Sequence, residues 1–405
     1  MGDSMSFRAD DRLNVIKYYG GKAKMVQSVV DRLDYDNATV YLEIFGGGAS
    51  VLLNKPKHKI EVYNEINFGV YTLFSVLSNY EKGMELRERL KEVEYTEETF
   101  YKALEYKNAF EDDAIKENKR KLRLFISAIE KKYQLELYEI YKRHYINYCK
   151  KNCEKYGTQQ CKKVCKDKKR IDKVINKTLS KIELTLEEKK IAEKLLKEYQ
   201  KIEDGTLKGK DRPQYKEIEV AKATFIVQNM SRDGVGKQFG KLSDGNSTFQ
   251  TKVINLIDVI ERLRDVIIIN ENARNLLDRE YLNSVLLKKS VDISNIPNWQ
   301  LMYYIDAPYL EDISVTLAKR ESGVAEGNPG KIYKGGGFSI LEHNLLLNEI
   351  RECDANMLVS NYRDINFVYD TFLTKKDGWT YTEYPSKTNI SGTGEDRTEV
   401  LWQNY

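Results

Sequence analysis

Residues 39–63 hold the pattern that most restricts how this chain can fold: strand-like, glycine-rich, helix-like and strand-like runs in immediate succession. Thr39-Val40-Tyr41-Leu42-Glu43-Ile44-Phe45 is rich in β-branched and aromatic residues, as a short buried strand is. Gly46-Gly47-Gly48 ends it, Ala49-Ser50-Val51-Leu52-Leu53-Asn54 is helix-like, and Lys59-Ile60-Glu61-Val62-Tyr63 resumes β character. That order opens a doubly wound α/β sheet, whose parallel strands are joined by helical crossovers. Further strands are expected at residues 266–270, 301–305 and 356–360.

The middle of the chain has another character. Over residues 95–222 Lys, Glu, Leu, Ile and Tyr dominate, and apolar residues recur at helical spacing, as at Leu122, Phe125, Ile126, Ile129 and Tyr133. A mostly helical insertion is expected there. A chain of 405 residues exceeds one simple core, so two domains are expected. Residues 231–248 read as a polar, Gly-rich loop, and residues 322–337 as a second one beside a proposed site, where long loops tend to serve function.

Charge is uneven. The net charge is only +4, yet residues 142–177 hold thirteen Lys and Arg against three acids. Such a segment suits phosphate contact, and equally a solvated helical face. Within it Cys149, Cys153, Cys161 and Cys165 form two pairs, each one helical turn apart. Three arrangements fit: a structural zinc held by a helical hairpin, reduced thiols on that hairpin, or paired disulfides. No run is long enough to span a bilayer and the first residues carry no apolar signal core, so a cytoplasmic protein is expected.

Three motifs carry candidate chemistry. Asp306-Ala307-Pro308-Tyr309 follows the apolar run 301–305. A strand-end turn of this kind offers a carboxylate, free carbonyls and an aromatic face, which together can grip a planar base with an exocyclic amine. An ordinary strand-end turn has the same residues. The turn Phe45-Gly46-Gly47-Gly48-Ala49-Ser50 admits close approach of a ligand to the backbone, and Glu65 past the second strand can accept two ribose hydroxyls. The pattern is not GxGxxG, so nothing calls for a pyrophosphate. A tight turn with a surface Glu is the alternative. Lys22, beside Tyr18, can meet a carboxylate or form a solvated basic turn.

Taken together, Lys17-Tyr18-Tyr19-Gly20-Gly21-Lys22, the stretch from Leu42 to Asn54, Asn64-Glu65-Ile66-Asn67, Asp306-Ala307-Pro308-Tyr309, Leu358-Val359-Ser360-Asn361-Tyr362 and Thr398-Glu399-Val400-Leu401-Trp402-Gln403-Asn404-Tyr405 resemble the Dam-type (class alpha) adenine DNA methyltransferases, which use S-adenosylmethionine. The resemblance covers residues 14–94 and roughly 223–405. It implies a Rossmann-like methyltransferase sheet with helices on both faces and a mostly helical inserted DNA-recognition domain. The implied division is 1–94 and 251–405 for the methyltransferase domain and 95–250 for the insertion and target-recognition region.

By the same resemblance Tyr18, Lys22, Glu43, Phe45, Gly47, Ser50, Glu65, Ile66 and Asn272 bind the cofactor. Asp306, Ala307, Pro308 and Tyr309 hold the flipped adenine. Asn229, Arg232, Lys237 and Gln238 lie where relatives contact DNA and can reach base edges in the major groove. Ala307 departs from the family, which has proline there; it keeps its carbonyl but gives up the rigidity of a fixed φ. The implied partner is double-stranded DNA, met as a monomer, with a cognate restriction endonuclease in some settings, and a bacterial or phage origin. Readings of other classes are a weakly active DNA-binding module that keeps the fold, and an RNA or cytosine amino methyltransferase.

Overall fold

The computed structural model describes residues 12–18, 22, 25–108, 216–232, 234, 236–309, 340–362, 368–387 and 396–405. Seven strands form one sheet: β1 Val40–Glu43, β2 Ile60–Asn64, β3 Ile267–Ile269, β4 Leu301–Ile305, β5 Asn356–Tyr362, β6 Thr380–Lys387 and β7 Asp396–Gln403. Their order is β3-β2-β1-β4-β5-β7-β6. The five strands from β3 to β5 are parallel, and β7 runs antiparallel between β5 and β6. The chain winds outward from β1 through β2 to β3, then restarts at β4 on the other side. The carboxyl ends of β1 and β4 therefore flank a topological switch point, the place where open α/β sheets bind ligands. Register brings Glu43 level with Tyr63 on one side and Tyr304 on the other.

Side-chain alternation splits the core into two layers. Tyr41, Tyr63, Met302, Tyr304, Leu358 and Leu401 face one cluster of helices. Leu42, Val62, Tyr303, Ile305, Val359 and Trp402 face the other. On the first face lie α1 (Val26–Val30), α2 (Ser50–Asn54), α3 (Phe68–Ser78), α4 (Tyr80–Lys91), α5 (Glu97–Asn108), α6 (Glu217–Met230), α7 (Gly245–Ile254) and α8 (Leu256–Leu263). Behind the second are α9 (Arg279–Leu287), α10 (Ile340–Glu352) and α11 (Val368–Phe372). Asn67 and Asn79 start α3 and α4 by accepting the amides of Val70 and Lys82 at 3.2 and 3.0 Å, the capping that a free helix N-terminus requires. Among the described residues no helix is long and apolar enough to cross a membrane.

The edges of the segment read as an insertion differ from expectation. α6 packs along α3 and α5, and Ala223 to Met230 are buried without interruption. A helix buried all round belongs to the interior of its domain. α5, α6 and α7 thus pack within the sheet's own helical layer. Within the loop read over 231–248, α7 begins at Gly245, where Phe249 and Val253 anchor its buried side. β6 was not anticipated. Pro385 interrupts its pattern, and the strand tolerates it by lying at the sheet edge, as proline requires.

One buried ion set ties the first layer to the sheet. Arg262 of α8 grips Glu61 of β2 with both terminal nitrogens, at 2.7 and 3.0 Å. Lys55 pairs with the same carboxylate and lies 4.0 Å from the centre of the Tyr41 ring. Burial would raise the Glu61 carboxyl, but Arg262 and Lys55 outweigh it and hold the group below its usual value. Removing one partner leaves a buried charge without compensation. Arg262→Ala is therefore expected to cost about 3 kcal/mol of folding stability, read as a lower urea midpoint.

Candidate active site

The turn after β1 is wedged between two tyrosines. Gly46 has no room for a side chain, because a Cβ there would fall 2.1 Å from the Tyr63 ring. Gly47 has φ +50, and a Cβ on it would meet the Tyr18 ring at 2.9 Å. The Tyr63 hydroxyl locks the turn by donating to the Gly47 carbonyl at 2.7 Å. Lys17 and Tyr18 thus enter the site from the N-terminal segment, with Tyr18 lying over the glycines.

Two carboxylates lie under and beside this turn. Glu65 accepts the Gly47 amide through Oε2 at 2.8 Å and the Asn67 amide through Oε1 at 2.7 Å. Burial pushes its carboxyl up to about 6, opposed by those amides. The Ile66 amide also acts on the carboxylate, and acceptor capacity is left for a further donor. Glu43 accepts the Tyr41 hydroxyl at 2.8 Å and the Leu52 amide at 2.9 Å. Burial dominates there and raises it to about 8. Next to Glu65, Ile66 is 40% and Phe68 37% exposed, an open apolar face that suits a flat ring. Ser50 is half-buried at the start of α2, and Phe45 is half-buried in the turn. Asn272 follows β3, where its side chain accepts the Arg274 amide at 3.1 Å. The neighbouring Asn270 donates to the Glu65 carbonyl, so the 270–272 segment braces the acid from outside.

Lys22 stands at the centre. Its ammonium lies 2.8 Å from Asp306 Oδ1 and 2.8 Å from Glu399 Oε1, and it donates to the Tyr309 hydroxyl. These partners use all three of its N–H bonds. Burial by itself would lower the Lys22 pKa; Asp306 and Glu399 outweigh it and hold the ammonium well above its usual value. Asp306 is raised to about 6 by burial, with Lys22 opposing and Glu399 adding to the rise. Tyr309 stacks on Tyr362 with ring centres 4.0 Å apart. Ala307 is buried. His343 of α10, fully buried, lies 2.8 Å from the Tyr369 hydroxyl.

The residues read as DNA contacts divide. Arg232, Lys237 and Gln238 are exposed on a loop closed by a bridge between Ser231 and Phe239. The loop packs on the Tyr18 segment, with Gly234 against the Lys17 carbonyl. Asn229 is buried instead: its amide donates to the Val15 and Phe225 carbonyls at 3.0 and 3.1 Å and accepts from Lys252 at 2.8 Å. It is a structural pin beneath the loop and is not presented to a base edge. Cys149, Cys153, Cys161 and Cys165 lie outside the described residues. Among the described residues no group of three or more His, Cys, Asp or Glu could hold a metal ion.

Residues 18–194 match the family model of the D12 class N6 adenine-specific DNA methyltransferases. Over these residues the chain is similar to the D12 class methyltransferases. No curated protein matches it. The match begins at Tyr18 and takes in Lys22, the glycine turn, Glu43 and Glu65. Asp306 and Tyr309 come from later in this methyltransferase and meet Lys22 only through the sheet. Adenine-specific DNA methylation is therefore its activity, with DNA as substrate.

Sequence reasoning gave no role to Glu399, Ser360, Tyr362 or His343. Three of them sat in stretches already matched to the family, but no spacing rule linked them to Lys22. The raised Glu43 carboxyl has a consequence for stability. The folded state holds a proton that the unfolded chain releases near 4.5, so this group's contribution to stability falls as pH rises from about 4.5 to about 8. Glu43→Gln keeps a carbonyl acceptor and removes the titration. Its melting temperature relative to the parent is expected to rise steadily between pH 5 and pH 8 in ligand-free protein, measured by calorimetry.

Proposed function

We propose that this methyltransferase moves a methyl group from S-adenosylmethionine to the exocyclic amine of an adenine flipped out of duplex DNA. The observation that carries the reading is Asp306 at the carboxyl end of β4, beside the switch point, 2.8 Å from Lys22. The residues around the β1 turn suit that cofactor. Lys22 takes its carboxylate, Glu65 its ribose, and Ile66 one face of its adenine. Tyr18, Glu43, Phe45, Gly47 and Ser50 line the methionine end, and Asn272 lies near the far edge of the base. Bound there, the cofactor supplies an electrophilic methyl on a cationic sulfur, which matches a site rich in carboxylates.

Asp306 and the Ala307 carbonyl accept the two N–H bonds of the target amine. Its lone pair is otherwise delocalised into the ring; holding both hydrogens aims that pair at the methyl and stabilises the positive charge growing on nitrogen. Tyr309 offers the flipped base a stacking face, which offsets the few kcal/mol of unstacking. Arg232, Lys237 and Gln238 face DNA from the exposed loop, with Gly234 letting the loop backbone approach Lys17 closely. The protein is read as acting on DNA as a monomer.

Incubation with labelled S-adenosylmethionine and unmethylated genomic DNA, followed by nucleoside analysis, is expected to give N6-methyladenine at one short sequence. Label appearing only in RNA or only on cytosine would redirect the substrate assignment, and no transfer despite cofactor binding would leave a DNA-binding module. Asp306→Ala should abolish transfer while leaving cofactor affinity largely intact. Since the ionised Asp306 is the stronger acceptor and the form that stabilises a growing positive charge, kcat/KM should fall as pH drops through about 6. Glu65→Ala should weaken the cofactor at least tenfold, about 1.4 kcal/mol, by calorimetric titration; unchanged affinity removes Glu65 from the ribose role.

A further inference from the structure

The Lys22 ammonium has a partner for each of its three N–H bonds: Asp306, Glu399 and Tyr309. A carboxylate arriving at Lys22 must displace one of them. The three are not held equally. Glu399 sits on β7 inside the sheet, opposite Tyr362 of β5 and Tyr384 of β6. The Ser360 hydroxyl donates to the same Glu399 Oε1 at 2.8 Å, and its other oxygen lies 3.3 Å from the Tyr309 hydroxyl. Its side chain is 3% exposed. Asp306 lies one residue past β4 with an 18% exposed side chain, and Tyr309 lies three residues further along that turn.

We propose that Glu399 is a positioning residue for methyl transfer: braced by Ser360, it is the fixed anchor of the Lys22 ammonium, so that the incoming cofactor carboxylate displaces Asp306 and frees it for the target base. This rests on the reading of Lys22 and Asp306 given above. It also makes cofactor binding a condition for a free catalytic carboxylate. The charged and titratable groups acting on Asp306 are Lys22 from the N-terminal segment, Glu43 on β1, Tyr304 on β4, Tyr309 on the following turn, Tyr369 on α11 and Glu399 on β7. Glu399 is among those that raise Asp306.

The test compares the parent with Glu399→Gln, which keeps the shape and can keep the Ser360 hydrogen bond. In ligand-free protein, carbon-detected NMR titration of Asp306, assigned with Asp306→Asn, should place its midpoint near 6 in the parent and about half a unit or more lower in Glu399→Gln. In the transfer assay kcat should fall about tenfold or more, with the acid limb of kcat/KM shifted the same way, and Glu399→Asp should recover part of the rate. A rate loss with an unmoved midpoint and limb would mean a structural strand residue and overturn the proposal, as would parental kinetics. A shifted midpoint in a protein whose parent transfers no methyl would fail the functional reading while leaving the ion set standing. If Glu399→Gln does not fold, Ser360→Ala carries the test: kcat should drop several-fold with cofactor affinity held within about twofold, and parental kcat would overturn the anchor.

Discussion

One buried ammonium organises this molecule's site. Lys22 is withdrawn from water, which is costly for any cation, and that cost is met only because two carboxylates and a hydroxyl close around it. Those partners come from the turn after β4 and from β7. The N-terminal segment, the middle of the sheet and its antiparallel half are therefore held to one point. One cation facing two acids also leaves an excess of negative charge in a dry site. That imbalance helps lift Asp306 toward neutrality and prepares the pocket for a ligand with a positive centre.

The glycine turn is the second fixed element, and it works by exclusion. Tyr63 fills the space under Gly46, and Tyr18 covers Gly47. With both rings in place, the backbone amide of Gly47 has one direction left, toward Glu65. The acid is thus oriented by the turn before any ligand arrives. Preorganisation of this kind spares binding the entropic cost of ordering the group at the moment of contact. The opposite logic governs the Ile66 and Phe68 face, where apolar area is left uncovered and gains from a ring laid upon it.

Much of this could be read from residue types alone. β4 is a continuous apolar run and β1 is one up to Glu43, and such runs sit at the centre of parallel sheets. Lys22, Glu65, Asp306 and Tyr309 were legible because their chemistry is unusual where it stands, next to glycine turns and strand ends. Glu399 was not. In the Thr398-Glu399-Val400 alternation an acid looks like an outward-facing strand residue; only the arrival of Lys22 from 377 positions earlier makes it an inner one. Asn229 misled in the other direction. Polar and close to Arg232, it resembles a base reader, yet two backbone carbonyls and Lys252 claim its amide inside. α5 and α6 were assigned to a separate body because their composition is highly charged or locally helical, and composition does not reveal which face meets which sheet.

The place of β7 sets a schedule. It is threaded between β5 and β6, and it brings Glu399 to a lysine made 377 residues earlier. While the ribosome is still working, the parallel half of the sheet can assemble, and the turn over Glu65 with it. The ammonium, however, has no second carboxylate until residue 399 has left the exit tunnel. A nascent chain can therefore hold most of a binding pocket and none of a finished one, so a half-made enzyme close to DNA lacks the ion set that completes its site.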